Sequence, residues 1–464
     1  MSVNMDVRSA AEAMSGSAVG ENVAFAGVST DSRTVATGEL FFALRGDNFD
    51  GHQFIAAARE RGAAAAVVDV AGAEKANSAG LPLIVVSDTR LALGALAAHW
   101  RARFALPVIG VTGSNGKTTN KEMIACIMKA AFGETAVLST QGNLNNDIGL
   151  PLTLLKLNAQ HRAAVVEMGM NHPGEIAYLA NIGRPTVALV TNAQRAHLEG
   201  MGSLESIAAE KGSIFSGLEA DGTAVFNASD RWEDLWRSQS AHCRRLCFAL
   251  DGVADVSGHC QTRGLENRVS IVYGSQQIDV DLALPGAHNA RNALGAAATA
   301  LAAGVPLETV RVGLAAFRGI KGRLQRLAGL HGAMLLDDTY NANPDSVRAG
   351  IDVLAATVGR KILVLGDMGE IGEMTGQFHD EVGGYAKSQG VDRLLAVGDS
   401  SALAARNFGP GGQHFRKIED LIATLVGELT PETIVLVKGS RFMRMERVVG
   451  AIVAPQPERD KSCC

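Results

Sequence analysis

At 464 residues the chain is too long for one hydrophobic core and long enough for about three domains. Its 47% hydrophobic and 20% charged content lies near the globular average, which excludes a largely disordered chain and a coiled coil. The formal charge of −5, from 43 basic and 48 acidic residues, comes with no long basic block; this excludes a surface built for nucleic acid or acidic lipid, but not a small anion in a local pocket.

Residues 1–20 lack a basic stretch leading into an apolar one, and no segment approaches the ~20 apolar residues that span a bilayer. The expectation is a cytoplasmic monomer with no nucleic-acid partner and no stable membrane insertion. Six cysteines in so long a chain do not form a disulfide framework, and Cys463 and Cys464 fall in a polar tail, 455–464, expected to be disordered. Cys243, Cys247 and Cys260, with His242 and His259 nearby, lack the two close pairs of a structural zinc site.

Apolar runs of four to seven residues alternate with helical patterns almost throughout, which predicts parallel α/β sheets. The first block, residues 1–104, reads as a small α/β domain. Its strands fall at 23–28, 40–44, 65–69 and 83–86, with a helix near 54–61 and another over 89–104 leading out. The second block, 105–322, opens with a strand at 108–111 and ends in Gly319-Ile320-Lys321-Gly322, a hinge. The third, 323–454, repeats strand, polar loop and helix, with strands at 334–336, 361–365, 393–397 and 433–437. It reads as a Rossmann-like sheet without the GxGxxG dinucleotide fingerprint.

The sharpest local signal is Gly113-Ser114-Asn115-Gly116-Lys117-Thr118-Thr119, between a buried strand and a helix. That helix carries Met123, Ile124, Ile127, Met128 and Ala131 on one side. Glycines let a backbone wrap a phosphate, a helix N-terminus presents unpaired N–H groups, Lys117 adds a point charge and a Thr hydroxyl can ligate magnesium. The usual P-loop spacing has glycine where this chain has Val111, so the central P-loop domain rests on Gly116-Lys117-Thr118 and the strand-to-helix context.

Two further strands in the block end in residues able to hold a metal: 163–166 runs into Glu167, and 187–190 leads to Asn192 and His197. Ligands in open α/β sheets gather at the carboxyl ends of strands, so Lys117, Glu167 and His197 are expected to converge. Thr118 and Glu167 suit magnesium, which prefers oxygen; His197 reads equally well as a solvated loop residue. Over 203–218, Leu204, Ile207, Ala208, Ile214, Phe215 and Leu218 form one helical stripe with Lys211 in its middle. An inward amine needs a partner or a chemical change, unless it snorkels at the helix edge. Asn289 and His288 precede a long alanine-rich helix and could cap it. Four polar loops follow strands of the third block, at 337–344, 366–370, 398–399 and 438–441, and form a binding face on one sheet edge.

Taken in order, these blocks resemble the Mur ligase family of ATP-dependent amide-forming enzymes, over nearly the whole chain. The residues that carry the likeness are Gly113 to Thr119, Val166 to Glu175 (VEMGMNHPGE), Ala196 to Ser203 (AHLEGMGS), Leu336 to Ser346 (LDDTYNANPDS), Leu365 to Glu370 (LGDMGE) and Val437 to Arg441 (VKGSR). The five after the phosphate loop resemble the member that adds D-alanyl-D-alanine to a UDP-N-acetylmuramoyl-tripeptide, which the first block and the Asn341-Ala342-Asn343-Pro344 loop also favour. The resemblance implies that Lys117 contacts the β- and γ-phosphates, that Thr118 and Glu167 hold magnesium, and that His197 helps hold a second ion. It implies a carbamylated Lys211 as a carboxylate-like magnesium ligand, Asn289 at adenine, Arg323 at the phosphates and Asp338 at the ribose. Ser29, Asp31, Ser32, Arg33, Arg45 and Asp47 would hold the uridine diphosphate end; Asn143, Asn145 and Asn146 would touch the sugar-peptide. Tyr340, Asn341, Asn343, Lys438, Ser440 and Arg441 would line the D-alanyl-D-alanine side. The rival readings are another amide ligase of this architecture, including one that extends folate with glutamate, and a P-loop kinase or regulatory NTPase.

Overall fold

The computed structural model describes residues 3–46, 48–77 and 80–455. Asp47 and the tail residues 456–464, Cys463 and Cys464 among them, lie outside the described residues.

Three sheets follow one another along the chain. The first has five strands in the order Ser17–Val19, Leu83–Val86, Ala65–Asp69, Leu40–Phe42, Val28–Ser29, parallel except for the antiparallel edge Ser17–Val19. The single strand expected at 23–28 is two. Ala24–Ala26 pairs with Asn4–Asp6, Val28–Ser29 joins the sheet, and Gly27 between them turns the chain with a φ of +107°.

The middle sheet has nine strands. Val137–Ser139, Ala163–Glu167, Val108–Thr112, Val187–Val190, Thr223–Asn227, Arg244–Leu250 and Val256–Arg263 are mutually parallel. Their near-continuous apolar composition fits strands covered on both faces. Glu266–Tyr273 and Gln276–Leu282 then extend the sheet antiparallel, a departure from the parallel pattern expected throughout. Here the sequence alternates instead: Asn267, Val269 and Ile271 are buried, and so are Ile278, Val280 and Leu282, while most residues between them face solvent. The turn glycines Gly264 and Gly274 take φ of +60° and +58°, which close two tight hairpins. In the helix Lys117–Phe132 the apolar stripe is buried at Met123, Ile124, Ile127 and Met128, but Ala131 is exposed because the packing partners cover the earlier turns.

The third sheet runs Gln325–Ala328, Met334–Asp338, Thr433–Lys438, Arg360–Gly366, Arg393–Val397, Gly412–Phe415, parallel except for its first strand. It has its own apolar cores on its two faces. The first and middle sheets, by contrast, share one continuous core, in which Phe25, Leu40 and Leu93 join Leu150, Ile176 and Phe215. Each large apolar side chain so buried contributes about 1.5–3 kcal/mol. The helix Thr89–Arg101 seals this joint: the Trp100 indole donates to the Leu157 carbonyl at 3.0 Å, and the buried Arg101 guanidinium to the Gly183 and Arg184 carbonyls at 3.0 Å each. The first lobe is therefore fused to the middle one, whereas the third meets it mainly through polar side chains.

Candidate active site

The strand Val108–Thr112 delivers the phosphate loop. Gly113 and Gly116 take φ of +145° and +80°, and a Cβ on them would lie 1.9 Å from Thr191 Oγ1 and 2.5 Å from Asn292 Oδ1. Only glycine fits either place. Gly116 is the N-cap of the helix Lys117–Phe132 and has no side chain to satisfy the first-turn N–H groups, so these point at whatever occupies the loop. The Lys117 amine folds back on the loop, donating to the carbonyls of Gly113 at 2.6 Å and Ser114 at 3.2 Å. Its enclosure lowers its pKa.

Thr118 Oγ1 donates to Glu167 Oε2 at 2.9 Å, and Asn145 Nδ2 to Glu167 Oε1 at 2.7 Å. The Glu167 backbone N–H is held by Thr140 Oγ1 at 3.0 Å, so the 3%-exposed carboxylate is fixed at the strand end by three neighbours. Lys211, in the helix Leu204–Gly212, is fully buried, and its Nζ has no hydrogen-bond partner. Burial first, and the nearby Lys117 second, push its pKa well below the usual lysine range. Its neighbour Glu210 is occupied otherwise, accepting from the N–H groups of Gly174 and Ile176 at 2.9 and 2.8 Å. His197 sits in left-handed backbone with φ of +59°, its Nδ1 2.9 Å from Glu370 Oε2, on the loop that follows the third-sheet strand Arg360–Gly366. That contact lowers the Glu370 pKa.

The third lobe closes the site from the other side. Arg323 Nη2 donates to Thr118 Oγ1 at 2.9 Å, and the guanidinium carbon lies 4.2 Å from the centroid of the Tyr340 ring. Lys438, buried, donates to Asp338 Oδ2 and to the Asn341 carbonyl. Asn343 begins the helix Pro344–Ala355 with a capping box shared with Ser346. The resulting cleft has a volume of about 970 Å³ and is lined by Ser114 to Lys117, Asn145, Asn146, Glu167, His197, Asn289, Arg323, Asp338, Tyr340, Asn341, Asn343 and Lys438, among others.

The convergence of Lys117, Glu167 and His197 expected from the sequence is present. Asn289, buried, spends its amide on the Pro285 carbonyl at 2.8 Å and accepts from Asn292, so it ties down the turn before its helix as well as lining the cleft. The helix N-cap is Gly286, which has no side-chain cap, so the expected capping by Asn289 or His288 is not what the structure shows. Other expected residues lie elsewhere. Ser440 is buried and holds the neighbouring loop, accepting from the Gly369 N–H at 2.7 Å. Arg441 faces solvent opposite Glu446, and Asn143 is exposed outside the cleft lining. Ser29, Asp31, Ser32, Arg33 and Arg45 stay in the first lobe. There Asp31 accepts from Arg33, which holds its carboxyl down at about 2, and Arg45 bridges Asp50 and Asp69. Asn192, read from the sequence as able to hold a metal, instead accepts from the Asn115 N–H at 3.0 Å through its Oδ1. Gln194 and Asn120 were missed: Gln194 Oε1 accepts from the Asn115 amide at 2.6 Å, and Asn120 donates to Asn292 at 3.0 Å. Their only signal was position just after a buried strand or inside the P-loop helix.

Fold and cleft together define a P-loop enzyme whose phosphate site is completed by a separate α/β lobe. Models of one family match three stretches: the Mur ligase family catalytic domain over residues 24–101, the Mur ligase middle domain over 111–300, and the Mur ligase glutamate ligase domain over 322–441. The UDP-N-acetylmuramoyl-tripeptide--D-alanyl-D-alanine ligase of Escherichia coli (strain K12) is 40% identical over 445 residues, 95% of this chain and 96% of the relative. That of Bacillus subtilis (strain 168) is 32% identical, covering 93% of this chain and 94% of its own length. A crystal structure of MurF from Acinetobacter baumannii superimposes with a TM-score of 0.91 at 34% identity over 97% of this chain and 98% of that one. The MurF ligase of Thermotoga maritima in complex with ADP gives 0.79 at 26% identity over 92% and 96%. The chain belongs to the Mur ligase family.

Proposed function

We propose that the protein is an ATP-dependent ligase that joins D-alanyl-D-alanine to UDP-N-acetylmuramoyl-tripeptide. The products are the UDP-N-acetylmuramoyl-pentapeptide of peptidoglycan synthesis, ADP and phosphate. The observation that carries the reading is the meeting of Arg323 with Thr118: a phosphate loop on one lobe and a polar strand-end face on another enclose a single cleft. A kinase or regulatory NTPase leaves the third lobe's four polar loops without a task.

The donor set fits magnesium. Thr118 Oγ1 and Glu167 Oε2 are adjacent hard oxygens, and magnesium takes oxygen ligands. Among the described residues no three His, Cys, Asp or Glu side chains gather to hold a metal, so beyond Thr118 and Glu167 the ion's ligands would be phosphate oxygens, water or a further oxygen donor from the chain. Lys211 would supply one if its unpartnered amine, its pKa lowered by burial, adds carbon dioxide to become a carbamate. Thr118, Glu167 and carbamylated Lys211 would hold one ion, and His197 would help hold a second. Magnesium, when bound, offsets the negative charge on the transferring phosphoryl oxygens.

In the mechanism the substrate carboxylate attacks the γ-phosphorus of ATP, and ADP leaves. Lys117 turns from its own loop carbonyls to the β- and γ-phosphates, and Arg323 adds a second cation across the cleft. The dipeptide's neutral amine then attacks the acyl carbon of the acyl phosphate; the tetrahedral intermediate expels phosphate and loses a proton. Asn289 faces adenine and Asp338 the ribose. Ser29, Asp31, Ser32, Arg33 and Arg45 hold the uridine diphosphate end, Asn145 and Asn146 the sugar-peptide, and Tyr340, Asn341, Asn343 and Lys438 the dipeptide. Ser440 acts through the loop it holds. In this reading residues 1–104, 105–322 and 323–454 are the nucleotide-sugar, ATP and dipeptide domains of a cytoplasmic monomer. No helix among the described residues is long and apolar enough to cross a membrane.

ADP release measured with each substrate omitted in turn tests the reading. It expects turnover only when UDP-muramoyl tripeptide and D-alanyl-D-alanine are both present; release without the dipeptide would move the protein to the NTPase class.

A further inference from the structure

One ionic cluster between the middle and third lobes has no part in the steps above. Arg195 lies on the loop between the strand Val187–Val190 and His197. Its Nε and Nη2 donate to Asp345 Oδ1 at 3.0 and 2.6 Å, and its backbone N–H donates to Asp345 Oδ2 at 2.9 Å. Its Nη1 donates to Glu381 Oε2 at 2.8 Å, and its guanidinium carbon lies 5.1 Å from the Phe378 ring centroid. Asp345 is in the first turn of Pro344–Ala355, and Glu381 and Phe378 are in Thr375–Ser388. The three charged side chains are only 19%, 23% and 30% exposed.

The same loop also grips the phosphate loop. The Ser114 hydroxyl donates to the Gln194 carbonyl at 3.1 Å and accepts from its N–H at 2.9 Å, while Asn192 holds the Asn115 N–H. Residues 192 and 194 thus fix the ATP side, and residue 195 fixes the third lobe. That lobe has its own cores; Leu198 and Leu265 of the middle lobe pack against one of them, and the Arg195 cluster adds a polar tie. A planar fork on two carboxylates, largely shielded from water, is the strongest kind of such contact.

We propose that Arg195 is a positioning residue for ligation, an ion-pair latch that holds the third lobe closed and so forms the dipeptide side of the cleft. The inference rests on the ligase reading above. A ligand that binds the closed arrangement has its apparent affinity reduced by the fraction closed. Losing the latch therefore weakens D-alanyl-D-alanine binding most; ATP keeps Lys117 and the phosphate loop of the middle lobe, loses Arg323 and Asp338 with the third, and is weakened less.

The test compares Arg195→Met, Asp345→Asn and the double variant as full chains, by KM for each substrate at about 0.05 and 0.5 M salt. Arg195→Met is expected to raise the dipeptide KM by about tenfold or more, and the ATP KM by a clearly smaller factor. The double variant should be no worse than Arg195→Met, because the two changes remove one interaction. Salt should raise the dipeptide KM of the wild type and leave that of the variant flat. If Arg195→Met does not fold, Asp345→Asn alone breaks the fork from the other lobe and carries the same expectation, whereas Glu381→Gln would also break the Arg348–Glu381 pair within the third lobe. A dipeptide KM within about twofold of wild type, an equal rise for ATP, or strictly additive effects would overturn the latch. A wild type that never ligates the dipeptide overturns the ligase reading instead.

Discussion

Asn115 and Asn343, 228 residues apart, exchange side-chain hydrogen bonds across the cleft: Asn343 Nδ2 donates to Asn115 Oδ1 at 2.8 Å, and Asn115 Nδ2 to Asn343 Oδ1 at 3.3 Å. Asn343 Oδ1 also accepts from the Ser346 N–H at 2.9 Å, so one amide both caps a helix and touches the phosphate loop. The two duties can be separated. Asn343→Ala loses both and should destabilise the protein by about 0.5–2 kcal/mol as well as slowing turnover. Asn343→Asp keeps the cap but cannot donate to Asn115, so its denaturation midpoint should stay near wild type while turnover falls. Urea unfolding and steady-state rates on the two variants check this.

Lys211 is expected to matter as a carboxylate rather than as an amine. Lys211→Ala should lower turnover by about a hundredfold or more, the scale of losing one electrostatic stabiliser. Millimolar acetate should restore part of the rate. Near-normal activity without acetate, or a wild-type protein with no carbamate carbon signal after incubation in labelled bicarbonate, would remove the carbamate.

Arg323 works through its planar fork, with one nitrogen on Thr118 Oγ1 and the face of the group on Tyr340. Arg323→Lys keeps the charge but cannot reproduce both contacts. Its kcat is expected to fall by about tenfold and that of Arg323→Ala by about a hundredfold or more. Equal rates for wild type and Arg323→Lys would show that charge alone suffices.

His288 gives the protein an acid-side weakness. Burial is the main cause that pushes its pKa from 6.5 down to about 4, with nearby Asp338 opposing. Between pH 6.5 and 4 the unfolded chain takes up a proton that the folded protein refuses, so stability rises with pH through this window and is lost on acidification. The loss should reach at most about 3 kcal/mol near pH 4. Guanidinium unfolding at pH 7.5, 6 and 5 measures it; His288→Gln should flatten the slope, and an unchanged slope would assign the effect to other groups.

The parallel strands were legible because each is a short apolar run ending in a polar residue. Val187–Val190 and Arg393–Val397 stand where the sequence places them. The hairpins of Glu266–Tyr273 and Gln276–Leu282 were not, since alternation over seven or eight residues is weaker than a continuous run. In the site, Lys117, Glu167 and Lys211 were readable because a charge at a strand end or on an apolar helix stripe breaks a local pattern. Arg195 breaks none. It is one of several polar residues in a loop, and its meaning comes only from Asp345 and Glu381, which are 150 and 186 residues away.

The most direct measurement follows an oxygen atom. With 18O in the terminal carboxylate of the UDP-muramoyl tripeptide, the released phosphate should carry one labelled oxygen for each pentapeptide formed, because activation moves a carboxylate oxygen onto the γ-phosphorus. Unlabelled phosphate accompanying labelled product would contradict activation through an acyl phosphate, whatever the protein binds.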